Sequence, residues 1–462
     1  EEIKAQFSNF KWSKDIEKKE GRFDKIINFE EKSVIVFKPQ NSSVRLDLVT
    51  EEHQSTQLVS FKGEYLNVFK VDNSIVIFSS IFNPSTKKDE LRAKVVTPNK
   101  KKELLIIEQP LFGMLHSKFK ISVSPDFNYV FVLIEKPHKK GKKEAIVFTI
   151  LDKELNIQRT STYLMSALYS QKRRINIPVI NNNGEAYVIK RYRESNKSKY
   201  YILGCNTTGN VNFKEFKLSY KPIRDVQYLL NSEGDLILGG TYSSPNSSRS
   251  EGTYITKFDI EGNIIFRKEY GFRHETMLTF TSERAMKKEG LGLYSFRSNR
   301  LIQQKNNYIL ILEHRASKVN SKTGINTEIR EGLIVYSFDT EGSFVWDTSL
   351  EMHQTDVSEK GYWNSFICFN DTANNNLSII YNEVGYFDKH SDNDFGSHTA
   401  VGARKIILDN KGGYKKTAVK NCFEGASIDL VLSPKVNLQN ENKMLILAEP
   451  LNKSIYLVGV WQ

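Results

Sequence analysis

The densest group of potential ligand atoms in this 462-residue chain is FDKHSDNDFGSH (Phe387 to His398), which puts Asp388, Asp392 and Asp394 beside His390 and His398. Crowded carboxylates can hold calcium, and carboxylates mixed with imidazoles can hold a transition ion. The spacing departs from an EF-hand loop because no Glu closes the twelfth position. The segment therefore reads as a solvated turn. Asp388, Asp392 and Asp394 remain the weak metal candidates, and no cofactor is expected. The eight histidines (His53, His116, His138, His274, His314, His353, His390, His398) form no HExxH pair, and neither a GxSxG elbow nor a GxxxxGK[ST] phosphate loop occurs. GLGLYS (Gly290 to Ser295) has suitable glycines but follows a helix signal instead of a strand. No catalytic residue is assigned, and a non-catalytic protein is expected. A glycosidase carboxylate pair leaves no local spacing, so a glycan-binding protein or glycoside hydrolase stands as the alternative.

Three scattered cysteines (Cys205, Cys368, Cys422) fit neither a disulfide framework nor a CxxC metal site, and are read as isolated buried residues. The net charge is +12, with much of the excess in NKKKE (Asn99 to Glu103) and KPHKKGKKE (Lys136 to Glu144). Such runs could face nucleic acid or anionic lipid. Their lysines are not interleaved with aromatics as single-strand binding requires, so solvated hairpin loops and no nucleic-acid partner are expected. No stretch approaches the ~18 uninterrupted apolar residues of a membrane-spanning helix. The opening Glu1-Glu2-Ile3 lacks an initiator Met and an apolar leader, which raises the expectation of a processed, exported chain.

The elements that would position any site announce themselves by repetition. FDIEGNIIFRKEY (Phe258 to Tyr270) returns as FDTEGSFVWDTSL (Phe338 to Leu350), each reading as strand, turn, strand, with Asp and Gly where a type I turn favours them. Short β-branched runs begin at Ser33, Ser74, Tyr129, Ala186, Asp235, Asn307, Leu377 and Lys443, at a mean spacing of about 59 residues. Being almost wholly apolar, they suit strands covered on both faces. Around the fifth, DVQYLLN, DLILGGTYS, GTYITKFDIEG and NIIFRKEYG follow one another as four strands, with Gly239 and Gly240 placed for a bulge or a close backbone approach. The fold class is accordingly all-β: one β-propeller domain over residues 1–462 with eight four-stranded blades, and seven as the runner-up count. FKWSKDIE (Phe10 to Glu17) lacks upstream partners while the final three strands lack a fourth, so the N-terminal strand is expected to pair with the C-terminal strands and close the ring.

Residues 273–299, between the fifth and sixth blades, exceed a hairpin loop, and SERAMKKEG reads as a short helix capped by Ser282 and stopped by Gly290. Long loops on rigid scaffolds carry binding residues. Arg273, His274, Arg284, Lys287, Lys288, Tyr294 and Phe296 are the partner-binding candidates, and deletion of the insertion is expected to abolish binding while leaving the ring folded.

The fifth and sixth units, GDLILGGTYSS with GTYITKFDIEGNIIFRKEYG and then EGLIVYSFDTEGSFVWDTSL, resemble the exported bacterial β-propeller repeat, which runs apolar strand, Gly-Gly-Thr, a KFDxxG-like turn, aromatic. The match covers about a third of the chain and speaks to fold. What it implies is a rigid platform of the cell envelope, periplasmic or envelope-associated, that binds protein and does not itself span the membrane. In size, basicity and start, the chain is also similar to the propeller-like plug subunits that close the periplasmic mouth of the type 9 protein-export translocon. That similarity implies an accessory subunit plugging an outer-membrane protein-export translocon.

Overall fold

A computed structural model describes residues 10–461 apart from 13–15, 18–21, 30–31, 39–42, 50–53, 62, 73, 98–99, 112, 138–142, 166–173, 195–196, 220, 246, 320–325, 357–365, 372–373, 385–399, 419–429, 441–442 and 451–454. The metal candidates Asp388, Asp392 and Asp394 lie outside the described residues. Apart from two short helices, the regular structure described is strand. The strands form antiparallel meanders, six of them four-stranded, spanning in chain order residues 22–60, 64–110, 118–164, 174–216, 227–271, 296–356, 366–418 and 430–461. We call them sheets 1 to 8. Sheet 6 gains a strand from a hairpin extension, and sheet 8 takes its remaining strands from the chain's other end, where Phe10–Trp12 pairs antiparallel with Ile455–Trp461.

The eight apolar runs become the second strands of these sheets: Lys32–Lys38, Ser74–Asn83, Tyr129–Glu135, Ala186–Glu194, Leu236–Tyr242, Asn307–His314, Asn376–Val384 and Lys443–Pro450. Their composition follows from their surroundings. Buried clusters lie between successive sheets, as where Val76 and Phe78 of sheet 2 meet Val130 and Val132 of sheet 3. In the same way Leu133 and Phe148 of sheet 3 meet Val188 and Leu203 of sheet 4. A strand sandwiched this way has no wet face, and so no polar alternation. Antiparallel sheets stacked face to face along the chain are the β-propeller type of repeat.

Turns fasten neighbours together. Between third and fourth strands, Asp152, Asn206, Asp259, Asp339 and Asp409 each accept a backbone bond from the residue three on, at 3.0–3.2 Å. Each also accepts at its side-chain Oδ1 from the N–H four residues on. The repeated hairpin of the sequence is thus two of five copies among the described residues. The third residue on has positive φ, +70° at Leu155 and +78° to +86° at Gly209, Gly262, Gly342 and Gly412, and glycine adopts that conformation without a steric penalty. Three of these glycines offer their carbonyls to the preceding sheet: Ser161 Oγ donates to Gly209 (2.7 Å), Tyr270 Oη to Gly342 (2.9 Å) and Thr348 Oγ1 to Gly412 (2.6 Å).

Gly240 makes the close approach expected of it, since a Cβ there would lie 2.2 Å from the Asp225 carbonyl oxygen, whereas Gly239 meets only leucine side chains at ordinary distance. The pairing of Gln227–Leu230 with Leu236–Tyr242 is regular, without a bulge. Cys205 and Cys368 are free and buried, as read from the sequence. Burial pushes the Cys368 thiol up to about 11. The lysine runs differ in detail from two loops. Thr97 and Lys100 make a tight turn, but Lys101 to Glu103 belong to the edge strand Lys101–Pro110. Glu144, at the end of the second run, is fully buried and bonded by Lys190 Nζ at 2.9 and 3.0 Å.

Candidate interaction surface

The longest interruption of the meander lies between sheets 5 and 6, and its local sequence explains its shape. Phe272 leaves the last strand of sheet 5 and bonds back to the Glu251 carbonyl (3.0 Å). Helix α1 (His274–Leu278) has no side-chain cap and is held instead by tertiary contacts. Thr276 Oγ1 donates to Asp347 Oδ2 at 2.6 Å, the Arg273 guanidinium pairs with Asp347 Oδ1, and Met277 is buried. Helix α2 (Glu283–Glu289) is the one written in the sequence: Ser282 Oγ accepts from the Ala285 N–H, and Gly290 ends it at φ +88°. Glu283 in its first turn and Lys287 and Lys288 in its last suit the helix dipole. Met286 points inward.

The following loop is locked to sheet 5. Leu293 and Ser250 exchange backbone bonds of 2.8 and 3.0 Å, and Ser250 Oγ donates to the Phe296 carbonyl at 3.1 Å. Buried Arg249 donates to the Gly290 carbonyl and places its guanidinium 4.2 Å from the Tyr294 ring centre. Held from beneath, the outer side presents Leu278 (40% exposed), Leu291 (67%) and Tyr294 (49%) among exposed Arg284, Lys287 and Lys288.

Two carboxylates near this surface, Asp225 and Glu313, hold elements together. Asp225 accepts from Thr241 N–H and Oγ1 and from Ser298 N–H and Oγ, joining sheets 5 and 6 at 2.7–3.1 Å. Glu313, fully buried, accepts from Asn299 Nδ2 (2.7 Å) and Arg315 Nε (2.6 Å), with Arg330 at 3.9 Å. Nearby His314 lies 3.6 Å from Glu331 and packs on Phe296. Burial lowers its proton affinity, with Glu331 opposing. Burial, reinforced by Arg297, also lowers that of Arg224.

Of the sequence candidates, Arg273, His274, Arg284, Lys287, Lys288 and Tyr294 do lie exposed on this segment. Phe296 does not. It is 2% exposed, inside the cluster with Met277, Met286 and Leu301, because residues from 296 on form the first strand of sheet 6, Phe296–Gln304. The insertion therefore ends before Phe296. It also lends Met277, Met286 and Leu293 to the core, so deleting it would open a cavity, contrary to the expectation of an intact ring. Sequence reasoning missed Arg249, Leu278, Leu291 and Asp347. Arg249 reaches Gly290 across 41 positions, and nothing in SSRSEG signals it.

No protein-family model matches the sequence, and no curated protein matches it significantly. Solved structures do resemble it in fold. The β-propeller domain of the trilobed protease from Pyrococcus furiosus, described as having an open velcro topology, is 9% identical over 87% of this chain and 96% of its own, with a TM-score of 0.39. The WD40 domain of SCAP from fission yeast is 9% identical over 96% and 95%, with a TM-score of 0.42. The polysaccharide lyase Uly1 is 9% identical over 87% and 90%, with a TM-score of 0.38.

Proposed function

We propose that the protein is a non-catalytic protein-interaction platform: one propeller domain of eight blades, closed where the two chain ends share sheet 8, presenting the 273–295 segment to a protein partner. Closure is supported by the pairing of Phe10 with Trp461 and by the contact of strand Arg22–Phe29 with Leu430–Asn440, which brings sheet 1 against sheet 8. The observation that carries the functional reading is the exposure of Leu278, Leu291 and Tyr294 amid Arg284, Lys287 and Lys288 on a segment whose inner side is fixed by Arg249, Asp347 and the core. Apolar and aromatic anchors pre-organised in this way are what association rewards. A glycan hydrolase would instead need two unengaged carboxylates roughly 5–10 Å apart in a cleft. Asp225 spends both carboxylate oxygens on donors from Thr241 and Ser298, which favours the platform.

The resemblance to the exported propeller repeat supports placing the platform in the periplasm or envelope as an accessory subunit. Its most specific form is a plug on the periplasmic side of an outer-membrane protein-export translocon. The test is affinity purification from the native source of the wild-type chain and an Arg284→Glu/Lys287→Glu/Lys288→Glu variant, which keeps the core side intact. The same partner should co-purify with the wild type and be depleted at least about tenfold with the variant, a size expected when several interface charges are reversed. Equal recovery overturns the assignment of the surface, and turnover on a glycan panel overturns the non-catalytic reading.

A further inference from the structure

A second surface, remote in sequence from the first, gathers at the corner where sheets 2 and 3 meet. The loop between the strands Lys101–Pro110 and Lys118–Val123 reads PLFGMLHS, an apolar composition unusual for a connection. Its tip turns at Gly113 (φ +64°), leaving Met114 91% and Leu115 43% exposed, next to Phe82 at 38%. The loop does not hang loose. His116 Nδ1 and the Ser117 N–H both bond buried Asp89, each at 2.7 Å, and the His116 ring stands edge-on to Phe82 at 5.1 Å. The apolar tip is thus held outward by a fixed base.

Lysines surround it. Lys87 ends the adjoining hairpin, Lys118 follows the loop, and Lys143 precedes the third strand of sheet 3, at the same end, since Lys118 pairs with Glu135. All three are exposed and, among the described residues, have no acidic partner. Two of the nearby acids are turned inward, Asp89 at 3% and Glu90 at 2% exposure, the latter bonded by Asn83 and Arg92, while exposed Glu108 is paired with Lys88 at 2.8 Å.

An exposed apolar tip with lysines, unpaired among the described residues, on the adjoining hairpin, the next strand and the neighbouring loop matches the chemistry of the headgroup region of a bilayer. There, apolar side chains insert, lysine stems lie along the interface, and anionic lipid attracts the ammonium groups. We propose that this corner is a docking surface for an anionic phospholipid bilayer, with Met114, Leu115 and Phe82 inserting and Lys87, Lys118 and Lys143 contacting headgroups. It uses neither α1 nor α2, so it stands or falls apart from the protein-binding surface.

The experiment is co-sedimentation of the full chain with vesicles of phosphatidylcholine alone, or of phosphatidylcholine with about a third phosphatidylglycerol. Binding should appear only with the anionic vesicles and weaken strongly in about 0.5 M salt. It should fall at least about tenfold in Met114→Asp/Leu115→Asp, whose exposed positions leave folding intact by circular dichroism. Lys87→Glu/Lys118→Glu should show a comparable loss. Absence of binding overturns the proposal, as does binding indifferent to lipid charge or to Met114 and Leu115. Met114-dependent capture by polyglutamate beads with no vesicle binding also overturns it, and points to an acidic protein segment instead.

Discussion

At the scale of single residues, the charges least expected in a β core are Lys190 and Glu144, both completely buried and bonded to each other across sheets 3 and 4, with Asn176 Oδ1 3.2 Å from the ammonium. Burying an ion pair costs desolvation that its own attraction barely offsets, while stranding one partner is far worse. Lys190→Met should therefore destabilise the protein by about 3–5 kcal/mol, whereas Lys190→Met with Glu144→Leu should recover most of that loss. Urea unfolding of the two variants distinguishes the outcomes, and equal losses would show that the pair acts through packing alone. Nothing in the sequence betrays this pair. Glu144 closes a lysine-rich run that reads as solvated, and Lys190 sits in AYVIK as a charge at the edge of an apolar run. Only the stacking of sheet on sheet, which local pattern does not encode, brings them together.

At the scale of elements, legibility tracks how much of an element's stability is local. The second strands show plainly because burial on both faces demands an unbroken apolar run, and α2 shows because Ser282 and Gly290 satisfy its ends from within. Helix α1 has no cap and five residues, so its stability comes from Asp347, 71 positions away from Thr276, and it goes unread. Of the candidate surface, the basic exposed half of 273–295 was legible, while the Arg249 support beneath it was not, being set by folding. The same dependence on context gives the hairpin extension of sheet 6 a pH response. His314 lies beneath it, next to Glu331 and against Phe296, and burial holds its native proton affinity below the ordinary value. The unfolded chain therefore takes up this proton first as pH falls. The stability His314 contributes is fully present above about pH 6.5 and is lost as pH drops from there through the lower native value. Denaturation midpoints between pH 7.5 and 5 should show this slope, and His314→Gln should flatten it; an unchanged slope in the variant removes His314 as its source.

At the scale of the whole molecule, stability is shared out between neighbours, as in other repeat architectures: each described cluster bridges consecutive sheets, and turn glycines lend their carbonyls to the sheet before. Sheet 8 is the exception, because its strands come from both ends of the chain. Removing residues 1–20 strips Phe10–Trp12 and Ile16–Glu17 from Ile455–Trp461 and exposes a sheet edge. The truncated protein should unfold at lower temperature and self-associate in sedimentation velocity, while far-ultraviolet circular dichroism keeps its β signature. A monomer as heat-resistant as the parent would count against closure by shared strands. The pairing of Phe10 with Trp461 also sets a clock. Sheets 2 to 7 can assemble as they leave the ribosome, but Phe10 must wait until Trp461 has been synthesised, so the nascent chain carries an unfinished seam until every other sheet has emerged.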